Sequence, residues 1–308
     1  MDIWIFSIIL LAVFIDLLMG ELPSYAHPVV WMGKLIQLLK RYLLKLKSKW
    51  SGFILTIILT ITFTVPVLII IYYSKFNYII YILISGIILS TTFSIKMLIN
   101  SSKDIAVDLS SNTEKARQNV SYLVSRDTKN LDNSQLISAT IESLTENITD
   151  SITSPILFYF IFGVPGAVFY RVVNTLDAMV GYKNEENALI GWFPAKFDDV
   201  LNYIPARITG LIIVLSAFIL RMDWKNSFKI MVRDARKPPS PNSGYSMAAA
   251  AGALGIKLQK PDVYEIGDNK NNLDIETIYS AIKLTKVSVF LFLLISMGLI
   301  LFLFLITN

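Results

Sequence analysis

Gly52-Phe53-Ile54-Leu55-Thr56-Ile57-Ile58-Leu59-Thr60-Ile61-Thr62-Phe63-Thr64-Val65-Pro66-Val67-Leu68-Ile69-Ile70-Ile71-Tyr72-Tyr73 runs through 22 residues without one charged side chain. Crossing about 30 Å of hydrocarbon takes roughly 20 apolar residues in a helix. Inside lipid every backbone N–H and C=O must find its partner within the segment, so this run predicts a transmembrane α-helix. Working outward, Tyr78–Ile99, Ile3–Met19 and Val287–Thr307 carry the same signal. Thr153–Tyr170 and Tyr203–Leu220 are apolar too, but Pro155, Gly163, Pro165 and Gly166 interrupt the first, and Pro205, Arg207 and Gly210 fall in the first half of the second. Both predict broken or re-entrant helices. Composition agrees: 54% of the 308 residues are hydrophobic and the mean hydropathy is +0.57, outside the soluble globular range. The expectation is an all-α, polytopic integral membrane protein: a single membrane domain over Met1–Asn308 with four to six transmembrane helices, and amphipathic or re-entrant helices carrying the polar site.

What the chain lacks narrows its chemistry. The first apolar run has no basic lead and no small-residue cleavage site, and Asp16 lies near its end, so it reads as a retained anchor rather than a cleaved signal. Without cysteine there is neither a disulfide nor a thiolate metal site, and a single histidine argues against zinc. The net charge of +5 sits in loops beside apolar runs, which favours a lipid bilayer and disfavours nucleic acid as a partner. Lys34, Lys40, Arg41, Lys45, Lys47 and Lys49 face one acid, Glu21, so residues 20–51 are expected in the cytoplasm. Ser74–Asn77 then lies outside and 100–150 inside, and 221–286, with eleven Lys and Arg, also reads as cytoplasmic. Parity couples the two interrupted segments: both cross or neither does, and a lone cysteine at Lys183 reports which. No internal repeat of roughly 20–50 residues is found. Gly267–Asn272 is expected to be a mobile polar loop, and Glu114, Lys115 and Arg117 a solvated helix face.

Polar residues gather beside the apolar runs. On a helix advancing about 100° per residue, Glu142, Glu146 and Asp150 fall within about 80° of one another, opposite Ile137, Ile141, Leu144 and Ile148. Like charges at i,i+4 repel, so this face calls for a cation or reads as merely solvated. Asp16 either snorkels to the interface or does chemistry there. His27 before Pro28 is held extended. Arg126 either grips a phosphate or pairs with Asp127 or with a carboxylate of the acidic face. Asn174 and Asp177 share a helical face that Gly181-Tyr182 ends, and Asp198-Asp199 precede Pro205-Ala206-Arg207; such hard oxygen ligands suit Mg²⁺. Ser240-Pro241-Asn242-Ser243-Gly244 opens a helix of small side chains, with Ser243 as its expected N-cap, where exposed N–H groups suit an anion. No Gly-x-x-x-x-Gly-Lys-Ser/Thr loop occurs, so any ATP site is of another kind.

Taken together, over about residues 10–265, the chain resembles the adenosylcobinamide-phosphate synthase (cobyric acid aminopropanol ligase) family of cobalamin-biosynthesis membrane enzymes. The resemblance rests on Asp16 with Gly20 and His27-Pro28-Val29, Arg126-Asp127-Thr128, Glu142-Ser143 with Glu146-Asn147 and Asp150, and Pro165-Gly166-Ala167. It continues through Asn174-Thr175-Leu176-Asp177, Gly181-Tyr182, Ala195-Lys196-Phe197-Asp198-Asp199, Pro205-Ala206-Arg207 and Ser240-Pro241-Asn242-Ser243-Gly244. Glu21 stands where an aspartate is usual in that family, Thr145 where alanine is usual, and the His27 loop is slightly drawn out.

The resemblance implies ATP-dependent amide formation between a propionate carboxylate of adenosylcobyric acid and the amine of aminopropanol or its phosphate, in a multi-pass protein of the cell membrane whose site faces the cytoplasm. ATP and Mg²⁺ are the implied cofactors, the corrinoid is a substrate, and other membrane enzymes of cobalamin assembly are implied neighbours. On that basis Glu142, Glu146, Asp150, Asp177, Asp198 and Asp199 divide between Mg²⁺ binding and accepting the amine proton, with Glu146, Asp150, Asp198 and Asp199 as the metal candidates. Arg126, Arg207 and Ser240, Asn242, Ser243 and Gly244 are expected to hold phosphates, and His27, Asn147, Asn174 and Lys196 to contact cofactor or substrate. A transporter or permease-like binding subunit is the competing class, with Asp16, the break near Gly163 and the acidic face lining a path; it should show paired repeats, and none is found.

Overall fold

The computed structural model describes residues 4–182 and 184–307; the expected helix start at Ile3 and the labelling position Lys183 lie outside them. In chain order the elements are α1 (Trp4–Met19), α2 (Pro28–Leu43), α3 (Trp50–Ser74), α4 (Tyr78–Ser90), α5 (Ile95–Ser111), α6 (Thr113–Ser121), α7 (Asn133–Ile148), a π-helical turn (Thr149–Thr153), α8 (Ser154–Val180), α9 (Trp192–Leu201), α10 (Tyr203–Ile219), α11 (Trp224–Asp234), α12 (Ser243–Leu254), β1 (Lys257–Lys260), β2 (Tyr264–Gly267) and α13 (Ile275–Thr307). Among the described residues, four stretches are long and apolar enough to cross a membrane: Trp50–Ser74, Tyr78–Ser111, Asn133–Val180 and Ile275–Ile306. The pair α9 and α10 makes a fifth if taken as one span. This is an all-α polytopic membrane protein. The expected span at 3–19 corresponds to α1, an apolar helix of 16 described residues.

The chain forms two compact units. The first comprises Met1–Ile95 and Ser154–Asn202. Its core is built where α2, α3 and α8 press together Met32, Ile36, Leu55, Leu59, Val172 and Leu176. His27 caps α2 as its extended φ of −83° and ψ of 120° allow, its Nδ1 accepting from the Val29 N–H at 3.2 Å while Pro28 fills the first helical position. Asp16 does not snorkel. It is 1% exposed, and its Oδ2 accepts the Ile95 N–H at 3.1 Å where α5 begins, placing a carboxylate at a helix N-terminus whose orphan donors and dipole favour it. The expected break in α8 falls at Gly163, with φ +70° and ψ −168°. That region is open essentially to glycine alone, so Gly163→Ala is expected to destabilise the protein by about 1–3 kcal/mol, read as a lower thermal unfolding midpoint in detergent.

The second unit comprises Lys96–Thr153 and Tyr203–Asn308. Helix α7 starts on a capping box, Asp132 Oδ1 accepting from Gln135 N at 2.8 Å and Gln135 Oε1 from Asp132 N at 2.9 Å. The expected acidic face on α7 is not a solvated one: every residue from Leu136 to Thr145 is buried. A π-helical turn, Thr149–Thr153, follows and carries Asp150. Helix α12 reads as expected, its small residues letting α11 approach until a Cβ on Gly252 would lie 2.6 Å from the Asn226 carbonyl oxygen. The antiparallel hairpin β1–β2, pairing Lys257 with Gly267, was not expected.

The segment 267–272 is not a free loop. Lys270 and Asn271 donate their N–H groups to the Gly255 carbonyl at 3.0 and 2.8 Å, and the Gly267 N–H donates to Asp234 Oδ2 at 2.8 Å. Nor is the helix of Lys115 and Arg117 merely solvated, since Arg117 donates to the Thr128 and Leu131 carbonyls and Lys115 pairs with Asp108 at 2.7 Å. Burial alone would raise the Asp234 carboxyl, but the donors from Arg233, Lys237 and Gly267 outweigh it and hold it at about 2, below its ordinary 3.8. A carboxyl depressed in the folded state stabilises the fold above its unfolded pKa and loses that contribution as pH falls through the folded one. Asp234→Asn should therefore lose about 2 kcal/mol at pH 7 and flatten the acid loss of stability between about pH 4 and pH 2, a window that detergent-phase unfolding measured against pH resolves.

Candidate functional site

In the first unit α8 and α9 bring polar side chains together. Asp198, 8% exposed, accepts from Asn202 Nδ2 at 2.9 Å on Oδ2 and more distantly from Asn174 Nδ2 at 3.4 Å on Oδ1. Asn174 is steadied by Arg171 Nη1, 3.3 Å from its Oδ1. Asp177 and Asp199 are half-buried, and Asp177 and Asp198 each feel the charge of a neighbouring carboxylate. Among the described residues no lysine or arginine pairs with Asp177 or Asp198, whereas Lys196 reaches Asp199 at 3.4 Å. The glycine that ends α8 has a second purpose: a Cβ on Gly181 would fall 2.0 Å from Asp177 Oδ1, so only glycine leaves that carboxylate its place. His27 serves as a helix cap, and burial pushes its imidazole below the ordinary range; Glu21 opposes this and Arg171 adds to it. A neutral ring is a hydrogen-bonding group rather than a counter-ion for phosphate.

In the second unit Glu142, 4% exposed, is caged. Arg126 Nη2 and Ser138 Oγ donate to its Oε1 at 2.9 and 2.8 Å, and the Tyr264 hydroxyl donates to Oε2 at 2.7 Å. Arg126 also donates to the Gln259 carbonyl at 3.1 Å, and the Gln259 N–H donates to Ser138 Oγ at 2.9 Å. The cage thus ties α7 to the hairpin. Burial, then the charge of Glu142, push the Tyr264 phenol far above its ordinary range, so it remains a donor. Of the two expectations for Arg126, pairing within the acidic face is the one observed; Asp127 instead accepts from the Lys129 N–H at 2.9 Å. Arg126 still borders an open groove of about 640 Å³ with Lys115, Arg117 and Lys129. With three donors on it, Glu142 has little capacity left for a metal, and its hydrogen bonds hold α7 to the hairpin.

Glu146 and Asp150 are half-buried on α7 and the π-helical turn. Asn147 is tied to its own helix, donating to the Ser143 carbonyl at 2.9 Å and accepting from Ser151 Oγ at 3.1 Å. The Arg207 guanidinium lies 3.4 Å from the centre of the Tyr203 ring and 4.3 Å from that of Tyr245, and its Nη1 donates to Asn242 Oδ1 at 3.0 Å. Stacked between two aromatic faces, the guanidinium is held in one orientation. The N-cap of α12 is Asn242 rather than Ser243, and its side chain makes no cap bond because the carboxamide is committed to Arg207. Gly244 is required by packing, since a Cβ there would meet the Ala235 carbonyl oxygen at 2.1 Å; Ser240 Oγ accepts the Asn242 N–H at 3.3 Å.

Among the described residues no three or more of His, Asp and Glu converge to hold a metal by themselves. Mg²⁺ bound to nucleotide needs only one or two carboxylates beside the phosphates and waters, and the half-buried Asp177 and Asp199 fit that demand. Sequence reasoning missed Asn202, Tyr264, Tyr203 and Tyr245. Asn202 was findable, as an amide four residues after Asp198 on one helix; Tyr264 was not, since only the hairpin brings it to a residue 122 positions away.

A family model described as CobD/Cbib protein matches residues 9–288. Among curated relatives, a probable cobalamin biosynthesis protein CobD of Methanothermobacter thermautotrophicus is 50% identical over 295 residues, covering 96% of this chain and 98% of its own. A protein of the same printed name from Methanocaldococcus jannaschii is 40% identical, covering 94% and 96%, and a cobalamin biosynthesis protein CobD of Leptospira interrogans is 40% identical, covering 91% and 93%. No solved structure matches. With the model spanning most of the chain and identity of this order over nearly its whole length, the chain belongs to the CobD/Cbib family.

Proposed function

We propose that, within cobalamin biosynthesis, this protein is an ATP-dependent amide-forming ligase that joins a propionate carboxylate of adenosylcobyric acid to the amine of aminopropanol or its phosphate. The observation that carries the reading is Asp198: a buried carboxylate held by two neutral amides, with no lysine or arginine paired to it among the described residues. Such a group keeps its negative charge available for a proton. Amide synthesis needs that acceptor, because an ammonium ion has no lone pair with which to attack.

A carboxylate is also a poor acyl donor until its oxygen is phosphorylated, so the corrinoid acid is activated with ATP as an acyl phosphate. Asp198 takes one proton from the ammonium; the amine lone pair then forms the C–N bond, the C–O bond to phosphate breaks, and phosphate leaves with that electron pair and takes up the second nitrogen proton. In the first unit Asp177 and Asp199 are the residues that would hold Mg²⁺; Glu146 and Asp150 are the second unit's own candidates. The ion, when bound, supplies neutralising charge to the phosphates. Arg207, fixed between Tyr203 and Tyr245 beside Ser240 and Asn242, holds a phosphate in a preset orientation. The basic segments 20–51 and 221–286 support a site on the cytoplasmic side of the cell membrane.

The test is an assay of detergent-purified protein with adenosylcobyric acid, aminopropanol phosphate, ATP and Mg²⁺. Amide product and ADP are expected in equal amounts. Product formed without ATP consumption contradicts the ligase mechanism, and substrate flux across vesicles without product favours a transporter.

A further inference from the structure

The polar network behind Asp198 continues away from its exposed edge. Asn202 is 1% exposed and ends α9, its own N–H donating to the Asp198 carbonyl at 2.9 Å. Its side-chain Oδ1 accepts two hydroxyls, Ser154 Oγ at 2.5 Å and Tyr170 OH at 2.9 Å, both on α8 and both fully buried. An ionised carboxylate offers acceptors only, so the amide must turn its NH₂ to Asp198 and its oxygen to the two hydroxyls, which can donate. The amide therefore has one orientation that satisfies every member, and reversing it would strand several buried polar groups at about 1–3 kcal/mol each. Packing alone would not call for two hydroxyls and an amide in so apolar a setting.

We propose that Asn202 is a positioning residue, locked by Ser154 and Tyr170, which pins Oδ2 of Asp198 and thereby presents Oδ1 to the incoming amine. The inference rests on the proton-accepting role given to Asp198 above. Asn202 touches no reacting atom. It fixes the rotation of the carboxylate, and Asn174, whose contact with Oδ1 is long at 3.4 Å, yields that oxygen to the nitrogen proton.

The experiment compares full-length wild type with Asn202→Asp, which keeps volume and both hydroxyl contacts and replaces the N–H donor with a carboxylate oxygen that repels Asp198 Oδ2. Tyr170→Phe is the second variant, removing one of the two hydroxyls that lock the amide. Each is assayed with ATP and adenosylcobyric acid against two nucleophiles, aminopropanol phosphate and hydroxylamine. Hydroxylamine is already neutral near pH 7, so it attacks the activated carboxyl with little help from a proton acceptor and yields a hydroxamate. For Asn202→Asp the expected result is a fall of about 100-fold in kcat with aminopropanol phosphate at unchanged KM, with hydroxamate formation reduced less than about 3-fold. Tyr170→Phe should show the same selectivity at about 5–10-fold, and it carries the test if Asn202→Asp fails to fold. Equal losses with both nucleophiles in the folded variants, or no loss with either, overturn the positioning role. A wild type that yields ADP-linked amide while the variants break the pattern sinks only this inference; a wild type that forms neither amide nor hydroxamate removes the ligase reading and the inference together.

Discussion

Asp198→Asn is expected to lower amide-forming turnover by about 10²–10⁴-fold, the usual worth of a positioned proton acceptor, while leaving the protein folded. The substitution keeps the volume of the side chain. Its new oxygen still accepts from Asn202 Nδ2, the short 2.9 Å contact. Its new NH₂ faces Asn174 Nδ2 across the long 3.4 Å contact, where a half-buried amide has room to turn. What disappears is the charge and with it the capacity to take a proton. Steady-state kinetics beside a thermal unfolding trace separate the two consequences: wild-type turnover in a folded Asp198→Asn protein would remove this residue from the chemistry.

Glu142→Ala is expected to do the opposite, destabilising the protein by about 3–5 kcal/mol because it leaves the Arg126 guanidinium buried without its partner. The Tyr264 hydroxyl and Ser138 Oγ lose their acceptor at the same time. Glu142→Gln retains an oxygen and should recover part of that loss while keeping turnover within about tenfold, since the cage makes Glu142 a holder of α7 against the hairpin rather than a reacting group. Unfolding titrations in detergent with turnover measured on the same samples decide the matter. Abolished turnover in Glu142→Gln at undiminished stability would return this residue to the chemistry.

Those two residues show where sequence reasoning reaches and where it stops. Long apolar runs are legible because lipid demands internal hydrogen bonding over a fixed thickness, and α3 and α13 follow from that alone. The break at Gly163, the extended His27 before Pro28 and the end of α8 at Gly181 were legible because each turns on the backbone of one or two adjacent residues. Helical phase correctly gathered Glu142 with Glu146, but phase describes one isolated helix. It has no knowledge of the hairpin that delivers Tyr264 or of the π-helical turn that follows. The same limit explains Asp16, whose partner Ile95 lies 79 residues away and converts an interfacial carboxylate into a helix cap. The hairpin itself was hidden by brevity: each of its strands has four residues, too few for alternation to stand out between helices.

The central claim is that the corrinoid carboxylate is activated by ATP before an amine displaces phosphate. It is tested most directly by following oxygen from that carboxylate. Adenosylcobyric acid carrying ¹⁸O in its free propionate carboxylate is turned over with ATP, Mg²⁺ and aminopropanol phosphate, and the inorganic phosphate released is analysed by mass. The account predicts one ¹⁸O in the phosphate for each amide formed. Amide formation with phosphate free of label, or with no phosphate released, would contradict it.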